Sequence, residues 1–296
     1  MLIMNWIAII NPNAMFKRKI NKKWLISQIY PITKEIFFTE YQGHAGEIAQ
    51  HDNGYDGIIA ISGDGTLHNI ISNLDYTRKS IAIVAAGTGN SLGRDLGQSF
   101  LSHNTQIMIG KKHKIDLMKV SFIKSNGDSY SFISASTISV GYPALVTDNA
   151  NKRFKKLGSQ LCYPMASIFN AFTCKKTQIT ISYDSTPPQK KIIKGIMLTN
   201  THNTANFVCL PNTACNDGKA EAIEFNYRPF KQILYNISVL TKKYFIHPYF
   251  NTTFNQLKLE LEQPDLLMID GEIYEDVMSL EVKLLPGSLN CYVCSN

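Results

Sequence analysis

The apolar positions of residues 1–116 fall into short runs separated by amphipathic stretches. The runs read WIAIIN, EIFFTE, DGIIAIS and SIAIVAA, each the length of one buried strand. Between them, residues 19–29, 45–52 and 66–74 have helical spacing, and in the last of these Leu67, Ile70, Ile71 and Leu74 share one face. Strands that alternate with helices are typical of a mostly parallel sheet covered by helices. The pattern predicts an N-terminal α/β nucleotide-binding domain over residues 1–116.

Residues 117–296 have a different texture, made of many closely spaced strand-like segments. They include LMKVSF, YSFISASTISVG, TQITISY, KIIKGIMLTN, AEAIEF, QLKLELE and SLEVKLL, with Gly, Pro and Asn turns between them. This spacing is typical of a β-sandwich, here interrupted by two helical insertions at 160–172 and 230–245. We predict an α/β domain followed by a β-sandwich domain, with the last strand as a candidate to return to the first domain. A cleft between two domains is a favoured ligand site.

Composition places the chain among ordinary globular proteins. Of its 296 residues 44% are hydrophobic and 18% are charged. No apolar run of about 18 residues marks a membrane-spanning helix. The first residues lack a basic leader and a cleavage site, so we expect a cytoplasmic protein. The six cysteines show no disulfide framework, and Cys291 and Cys294 have no second pair with which to form a metal site.

The chain carries a formal charge of +7, which fits a surface that meets anions. Two clusters interleave basic residues with aromatic ones, FKRKINKKW at 16–24 and NKRFKKLG at 151–158. Each is either a solvated helical face or a contact with a membrane surface or a polyphosphate.

Two strand-to-helix turns are rich in glycine. Gly63 and Gly65 flank Asp64 directly after the run DGIIAIS, and Gly87-Thr88-Gly89-Asn90 follows SIAIVAA. Glycines at a helix N-terminus leave backbone N–H groups unobstructed, and these donors together with the helix dipole favour a phosphate. Two such turns on neighbouring strands predict a site for one polyphosphate.

The glycine spacing excludes the common nucleotide-binding fingerprints. His68 and Leu92 stand where a dinucleotide fingerprint places its third glycine. The chain has no G-x-x-x-x-G-K-[ST] sequence and no H-R-D or D-F-G sequence of protein kinases. The turns therefore point to a kinase that uses other loops.

The two turns read SGDGTLHNIISNL and AAGTGNSLGRDLG, and together they resemble the nucleotide motifs of the diacylglycerol kinase catalytic family. This family includes bacterial lipid kinases and the sphingosine and ceramide kinases. The resemblance continues in the family's order through NP, TEYQGHAGEIA, IDL, NDGKAEAIEF and a late DGE at residues 270–272. It spans nearly the whole chain, and the combination of both glycine turns with the late DGE is specific.

The resemblance implies an ATP- and Mg-dependent kinase of a lipid hydroxyl. It implies ATP contacts at Asn11, Thr39, Gly63, Asp64, Gly65, Thr66, Gly87, Thr88 and Asn90. It further implies that Glu272 is the base that takes the hydroxyl proton, that Asp64 and Asp116 are carboxylates of the same catalytic cleft, and that Asp217 organises a magnesium-linked acidic network. Phosphoryl transfer depends mainly on positioning and charge neutralisation, which suits these residue types.

The expected partner is a membrane lipid. Leu145 stands where sphingosine kinases carry an acidic residue for the substrate's amino group, unless a one-residue shift brings Asp148 there. We therefore expect a neutral lipid, diacylglycerol first, phosphorylated by a cytoplasmic enzyme that visits anionic membrane surfaces and binds no nucleic acid. A homodimer is a candidate assembly. The alternatives are a sphingosine or ceramide kinase, an NAD kinase, whose family shares the G-D-G-T turn, and a catalytically silent lipid-binding protein.

Overall fold

The structure is a computed structural model that describes residues 5–51, 54–87, 89–103, 106–158, 161–204, 208–209, 213–241 and 243–295. The first half contains β1 (Trp6–Ile10), α1 (Pro12–Lys17), α2 (Lys22–Ile29), β2 (Glu35–Phe38), α3 (His44–Gln50), β3 (Gly57–Ser62), α4 (Asp64–Asn73), β4 (Ser80–Ala85) and α5 (Ser91–Asp95). The strands β2, β1, β3 and β4 pair in that order, all in parallel. The α/β half predicted from the apolar runs is confirmed.

The described residues of the second half are rich in strands and include three α-helices. It contains β5 (Met108–Lys124), β6 (Ser129–Ser134), β7 (Thr137–Gly141), α6 (Tyr142–Lys152), α7 (Cys162–Thr173), β8 (Thr177–Tyr183), β9 (Gln189–Ile193), β10 (Gly195–Thr199), β11 (Asn203–Thr204), β12 (Val208–Cys209), β13 (Ala220–Phe225), α8 (Pro229–Leu240), β14 (Phe250–Phe254), β15 (Gln256–Ile269) and β16 (Glu272–Ser295). Most of its strand pairs are antiparallel. This agrees with the predicted β-rich half, whose exact boundary at residue 116 stays a prediction.

One long strand joins the two halves. The first part of β16 pairs antiparallel with β15, and its last part, Asn290–Val293, pairs in parallel with Ser80–Ile83 of β4. The strand β5 follows β16 along most of its length. The described strands therefore form one continuous 14-stranded sheet, and a separate two-stranded sheet of β11 and β12.

The parallel sheet is buried on both faces, which explains why its strands read as unbroken apolar runs. Ile7 and Ile9 of β1 face the side covered by α3 and α4, whereas Ala8 and Ile10 face the side covered by α1 and α2. A third apolar cluster fills the β-rich half, with Val120 among its buried members. Burying each isoleucine or valine side chain among them contributes about 1.5–3 kcal/mol relative to leaving it exposed.

Two helices differ from the sequence-based expectation. The helix α1 was missed, although Asn11 caps it by accepting from the Asn13 backbone N–H and Pro12 opens its first turn. The helix α6 was also missed, and it follows Gly141 with Pro143 in its first turn. The predicted helix ends at Asp52 and Gln160 lie outside the described residues.

Candidate active site

The two glycine turns meet backbone to backbone at the ends of β3 and β4. The Gly87 backbone N–H donates to the Ser62 carbonyl at 3.0 Å. A Cβ on Gly87 would lie 2.3 Å from the Gly63 Cα, and a Cβ on Gly63 would lie 3.1 Å from the Gly87 Cα. Only glycine fits at Gly87 without moving the backbone. The neighbouring parallel strands thus bring the first turns of α4 and α5 to one place.

Asp64 links the two turns. Its carboxylate accepts from the backbone N–H groups of Asn90 and Ser91, each at 2.7 Å, at the start of α5. Burial raises the pKa of the Asp64 carboxyl, and the two backbone N–H donors oppose that shift. The side chain of Asp64 thus points toward the second turn, while the neighbouring Gly63 allows the close approach of Gly87. Its predicted catalytic role stays a prediction.

Side chains from the first helices brace the turns. The Asn11 amide donates to the Thr66 hydroxyl at 2.8 Å, which fixes the loop after β1 against α4. The Arg18 guanidinium donates to the carbonyls of Ala86 and Gly87 at 3.3 and 2.5 Å. Burial and the nearby charge of Arg94 lower the pKa of Arg18. The positive charge of Arg18 therefore contacts the backbone carbonyls of the second turn.

Glu272 reaches the first turn from the other half of the chain. It begins β16 directly after a two-residue turn, Asp270-Gly271, in which both residues have positive φ, 48° and 101°. The Glu272 carboxylate accepts from the Gln42 amide at 3.2 Å, and a Cβ on Gly65 would lie 3.4 Å from its Oε1. Glu272 lines the same cleft as Gly63 and Gly87. The structure brings this carboxylate to the two turns, as the resemblance implied.

Asp270 is a buried anchor that sequence reasoning did not place in the site. Its carboxylate accepts from the Ser134 hydroxyl at 2.7 Å, from the backbone N–H groups of residues 135–137, and lies 3.1 Å from His68 Nδ1 on α4. Burial raises its pKa, but the hydrogen bond and charge of His68 and the other donors outweigh burial and lower it. This contact ties α4 to the turn that carries Glu272.

A cleft of about 390 Å³ lies between the two halves, and an apolar cavity of about 140 Å³ adjoins it. Thr147, Tyr163 and Met268 line both spaces. Burial raises the pKa of Tyr163 to about 12, with smaller contributions from the charges of Cys162 and Asp64. The side chains of Thr147 and Tyr163 thus line the boundary between the two spaces, and the Thr147 hydroxyl donates to the Pro143 carbonyl at 3.3 Å.

Several predicted site residues lie elsewhere. Of the predicted site residues, those that line the cleft are Asn11, Gly63, Asp64, Gly65, Thr66, Gly87 and Glu272. The described lining does not include Thr39, Asn90, Asp116 or Asp217. Asn90 instead holds the second turn, because its amide donates to the Gly87 carbonyl at 2.8 Å. Thr39 directly follows β2 and begins the next loop, and its N–H donates to the Ile10 carbonyl at 2.9 Å. Thr88 lies outside the described residues.

Asp116 and Asp217 belong to a separate structural cluster. Asp116 is buried and accepts from the N–H groups of Gly218 and Gly287 at 2.7 and 2.6 Å, which fastens two turns. Asp217 is exposed and accepts from the Lys219 N–H at 3.0 Å within its own turn. The predicted roles of Asp116 in the catalytic cleft and of Asp217 at a metal stay predictions.

The described residues do not form a dedicated magnesium centre. Among them, no group of three or more His, Cys, Asp or Glu side chains is arranged to hold a metal ion. The predicted metal contact of Asp217 stays a prediction. Kinases commonly hold Mg²⁺ by one or two carboxylates together with the substrate's phosphates, so the ion would bind as part of the nucleotide substrate.

The site occurs in a chain that is similar to known lipid kinases. Residues 5–120 match the model of the diacylglycerol kinase catalytic domain. The chain is 23% identical to the diacylglycerol kinase of Bacillus subtilis over 226 residues, which cover 74% of this chain and 71% of that protein. It is 27% identical to human sphingosine kinase 2 over 163 residues, but these cover 46% of this chain and only about a quarter, 24%, of the human protein.

A solved structure extends the likeness to the whole fold. The crystal structure of a diacylglycerol kinase from Bacillus anthracis aligns with a TM-score of 0.70 and 21% identity, covering 99% of this chain and 97% of that one. The order of an α/β half followed by a β-rich half is thus the same in both. The match to the diacylglycerol kinase catalytic domain thus covers residues 5–120 of this chain, which include both glycine turns.

Proposed function

We propose that the protein transfers the γ-phosphoryl group of ATP to the hydroxyl of a neutral membrane lipid, diacylglycerol first. The observation that carries the proposal is the position of the Glu272 carboxylate, which lies over the first turn of α4 in the cleft lined by Gly63 and Gly87. The relatives named above, a diacylglycerol kinase and a sphingosine kinase, support a lipid as the acceptor.

The two turns hold the phosphates of ATP. The helix α4 starts at Asp64, and its N-cap Gly63 makes no side-chain cap, so the first N–H groups of the helix are available to a phosphate. Asp64 keeps the second turn beside the first, and Asn11 fixes the side of the cleft. When bound, Mg²⁺ neutralises charge on the nucleotide's phosphates.

Glu272 accepts the proton of the lipid hydroxyl as the new bond forms. The lipid oxygen bonds to the γ-phosphorus, the bond from that phosphorus to the bridging oxygen breaks, and ADP leaves with the electron pair. General-base help of this kind contributes about 10²–10⁴-fold to a rate. The Gln42 amide orients the carboxylate by donating to it at 3.2 Å.

The lipid's chains and head fit the adjoining spaces. The apolar cavity suits acyl chains, and the hydroxyls of Thr147 and Tyr163 at its junction with the cleft suit a glycerol ester head. The described residues that line this cavity include no Asp or Glu, and Asp148 pairs with Lys152 at 2.8 Å. A substrate ammonium would need a free carboxylate, so these contacts favour a neutral lipid over a sphingoid base.

The test is transfer of labelled phosphate from ATP to a panel of acceptors in mixed micelles. The panel contains diacylglycerol, ceramide, sphingosine and, as a water-soluble acceptor, NAD. We expect label in diacylglycerol well above that in sphingosine. Transfer to NAD alone would replace the lipid proposal with an NAD kinase, and ATP binding without transfer to any acceptor would favour a silent lipid-binding protein.

A further inference from the structure

The helices α7 and α8 turn large apolar side chains toward solvent. Along α7 and its N-cap residue, the exposed side chains recur every three or four residues, and α8 repeats the pattern. The exposed residues are Leu161, Met165, Ile168, Phe172, Phe230, Leu234 and Ile237. We call this surface the α7–α8 face. Side chains exposed singly are common, but a stripe of this size on two helices marks an interaction surface.

The two stripes form one surface because the helices pack side by side. The rings of Phe172 and Phe230 meet edge to face, with centroids 5.7 Å apart. Behind them, the Asn236 amide donates to the Ser167 hydroxyl at 2.5 Å, which locks α8 against α7. Phe230 is 76% exposed and Phe172 is 54% exposed, despite their contact. The face is therefore rigidly presented and uncovered in the described part of the chain.

All charged residues in the two segments that carry the face are basic. The stretch 153–176 contains Arg153, Lys155, Lys156, Lys175 and Lys176, and the stretch 225–249 contains Arg228, Lys231, Lys242 and Lys243. Neither stretch contains a single Asp or Glu, although the whole chain has 23 of them. The described members of the cationic set are exposed. The apolar stripe is thus carried by two segments whose charged residues are all basic.

A membrane with anionic headgroups matches both properties at once. Amphipathic helices bind such surfaces by burying an apolar face at the acyl boundary while Lys and Arg contact the headgroups. A second copy of the chain docked on this face would bring the basic segments of both copies together, and this repulsion disfavours self-association through the face. None of the described helices has the length and apolar character to cross a membrane, so the contact is at the surface.

The helices α7 and α8 also line the apolar cavity with their inward-facing side chains. Tyr163 and Pro164 of α7 and Tyr235 and Val239 of α8 line it on the side opposite the face. One layer of helices therefore separates the face from the cavity, and Tyr163 also borders the cleft with Glu272. A protein docked by this face holds its lipid cavity next to the membrane.

The rival basic cluster at 16–24 lacks these features. The Arg18 guanidinium is engaged by backbone carbonyls of the second glycine turn, and the Trp24 ring packs on His103. Phe16 is 85% exposed, more than any residue of the α7–α8 face, but it is the one large exposed hydrophobic side chain among the described residues of this cluster. This cluster supplies matched controls.

We infer that the α7–α8 face is the membrane-docking surface of the protein and that its partner is an anionic lipid bilayer. The inference rests on the proposed function only in assigning a purpose to docking, because docking itself requires neither ATP nor a substrate. It is therefore tested by binding alone.

The experiment measures sedimentation of the full chain with vesicles of phosphatidylcholine and phosphatidylglycerol, without ATP. We expect binding that falls as salt is raised, because exposed charges are screened. The double variant Phe172→Ser and Phe230→Ser is expected to lower the partition coefficient at least about tenfold, and Lys155→Gln with Lys156→Gln about tenfold. The controls Phe16→Ser, and Lys22→Gln with Lys23→Gln, are expected to bind like the unaltered chain.

Three results would overturn the inference. They are absence of vesicle binding, equal losses in the control variants, and a change of oligomeric state in vesicle-free solution when the two phenylalanines are replaced. Thermal unfolding of each variant shows whether it is folded, and the exposed positions predict unchanged midpoints. A chain that docks but phosphorylates no lipid would refute the proposed function and leave this inference standing, whereas a kinase of micellar lipid that ignores vesicles would do the reverse.

Discussion

Replacing Gly87 with alanine tests the claim that the two glycine turns, packed backbone to backbone at Gly63 and Gly87, bind the phosphates of ATP. We call this pair of turns the phosphate cradle. The new Cβ would lie 2.3 Å from the Gly63 Cα and 3.1 Å from the Gly63 nitrogen. Carbon atoms in contact lie about 3.5 Å apart, so the turns must separate by about 1 Å. Both neighbours are backbone atoms that cannot rotate away. Overpacking of this kind costs about 1–3 kcal/mol.

Two measurements check the Gly87→Ala variant. Urea unfolding is expected to give a free energy of unfolding that is lower by about 1–3 kcal/mol. Calorimetric titration with ATP is expected to show an affinity at least about tenfold weaker, because losing one hydrogen bond to a charged phosphate costs about 1.5–3 kcal/mol.

Gly65→Ala is the matched control for stability. Its Cβ would meet only Glu272 Oε1, at an ordinary contact distance of 3.4 Å. Gly65 lies within α4, where alanine is more favourable than glycine by about 0.5–1 kcal/mol. The free energy of unfolding is therefore expected to stay equal or rise. If Gly87→Ala unfolds at the same urea concentration as the unaltered chain and binds ATP equally well, the reasoning about the cradle is wrong.

Three further substitutions test the supporting contacts. Asp270→Asn is expected to lower the free energy of unfolding by about 3 kcal/mol at neutral pH. Because the folded-state pKa of Asp270 is lowered, its stabilising contribution is present above the ordinary value of 3.8 and is lost as pH falls through the lower folded value. Urea melts should therefore show that the difference in free energy of unfolding between the unaltered chain and Asp270→Asn shrinks only below about pH 4. A difference that stays constant at lower pH would contradict this. Asp64→Asn removes a charged acceptor from the start of α5, and titration should show about tenfold weaker ATP binding, with unchanged affinity counting against the link between turns. Tyr163→Phe should lower kcat/KM for diacylglycerol about tenfold with ATP affinity unchanged, and equal kinetics would remove Tyr163 from the lipid site.

The sequence was most informative where the signal is local. The run DGIIAIS followed by Gly63 predicted a buried strand, a turn and a helix, and β3 and α4 are found there. The α/β half followed by a β-rich half is likewise confirmed. The start of α1 was also predictable from local sequence, because Asn11 followed by Pro12 is typical of a helix N-terminus.

Contacts between distant segments could not be predicted in the same way. The buried position of Asp270 depends on Ser134 and His68, which lie 136 and 202 residues away along the chain. An Asp-Gly pair between two strands signals a tight hairpin turn, so the turn was predictable, but a turn aspartate is usually exposed. Similarly, the pairing of Asp64 with the start of α5 follows only once β3 and β4 are known to be neighbours.

The union of the two halves in one sheet is the largest non-local feature. The strand β16 is 24 residues long, and its two ends pair with partners of opposite direction from different halves. Its alternating pattern indicated strands but could not identify which strands they meet, because register is set by the partners' packing. This strand carries Glu272 at its start, so the site's geometry depends on that pairing.

The most direct test of the account is the substitution of Glu272 by glutamine beside the same change at Glu275. Glu275 lies on the same strand with a side chain 63% exposed. We predict that Glu272→Gln lowers phosphate transfer to diacylglycerol by about 10²–10⁴-fold with ATP affinity nearly unchanged, whereas Glu275→Gln transfers at the normal rate. Normal turnover in Glu272→Gln would contradict the central claim that this carboxylate receives the proton of the lipid hydroxyl.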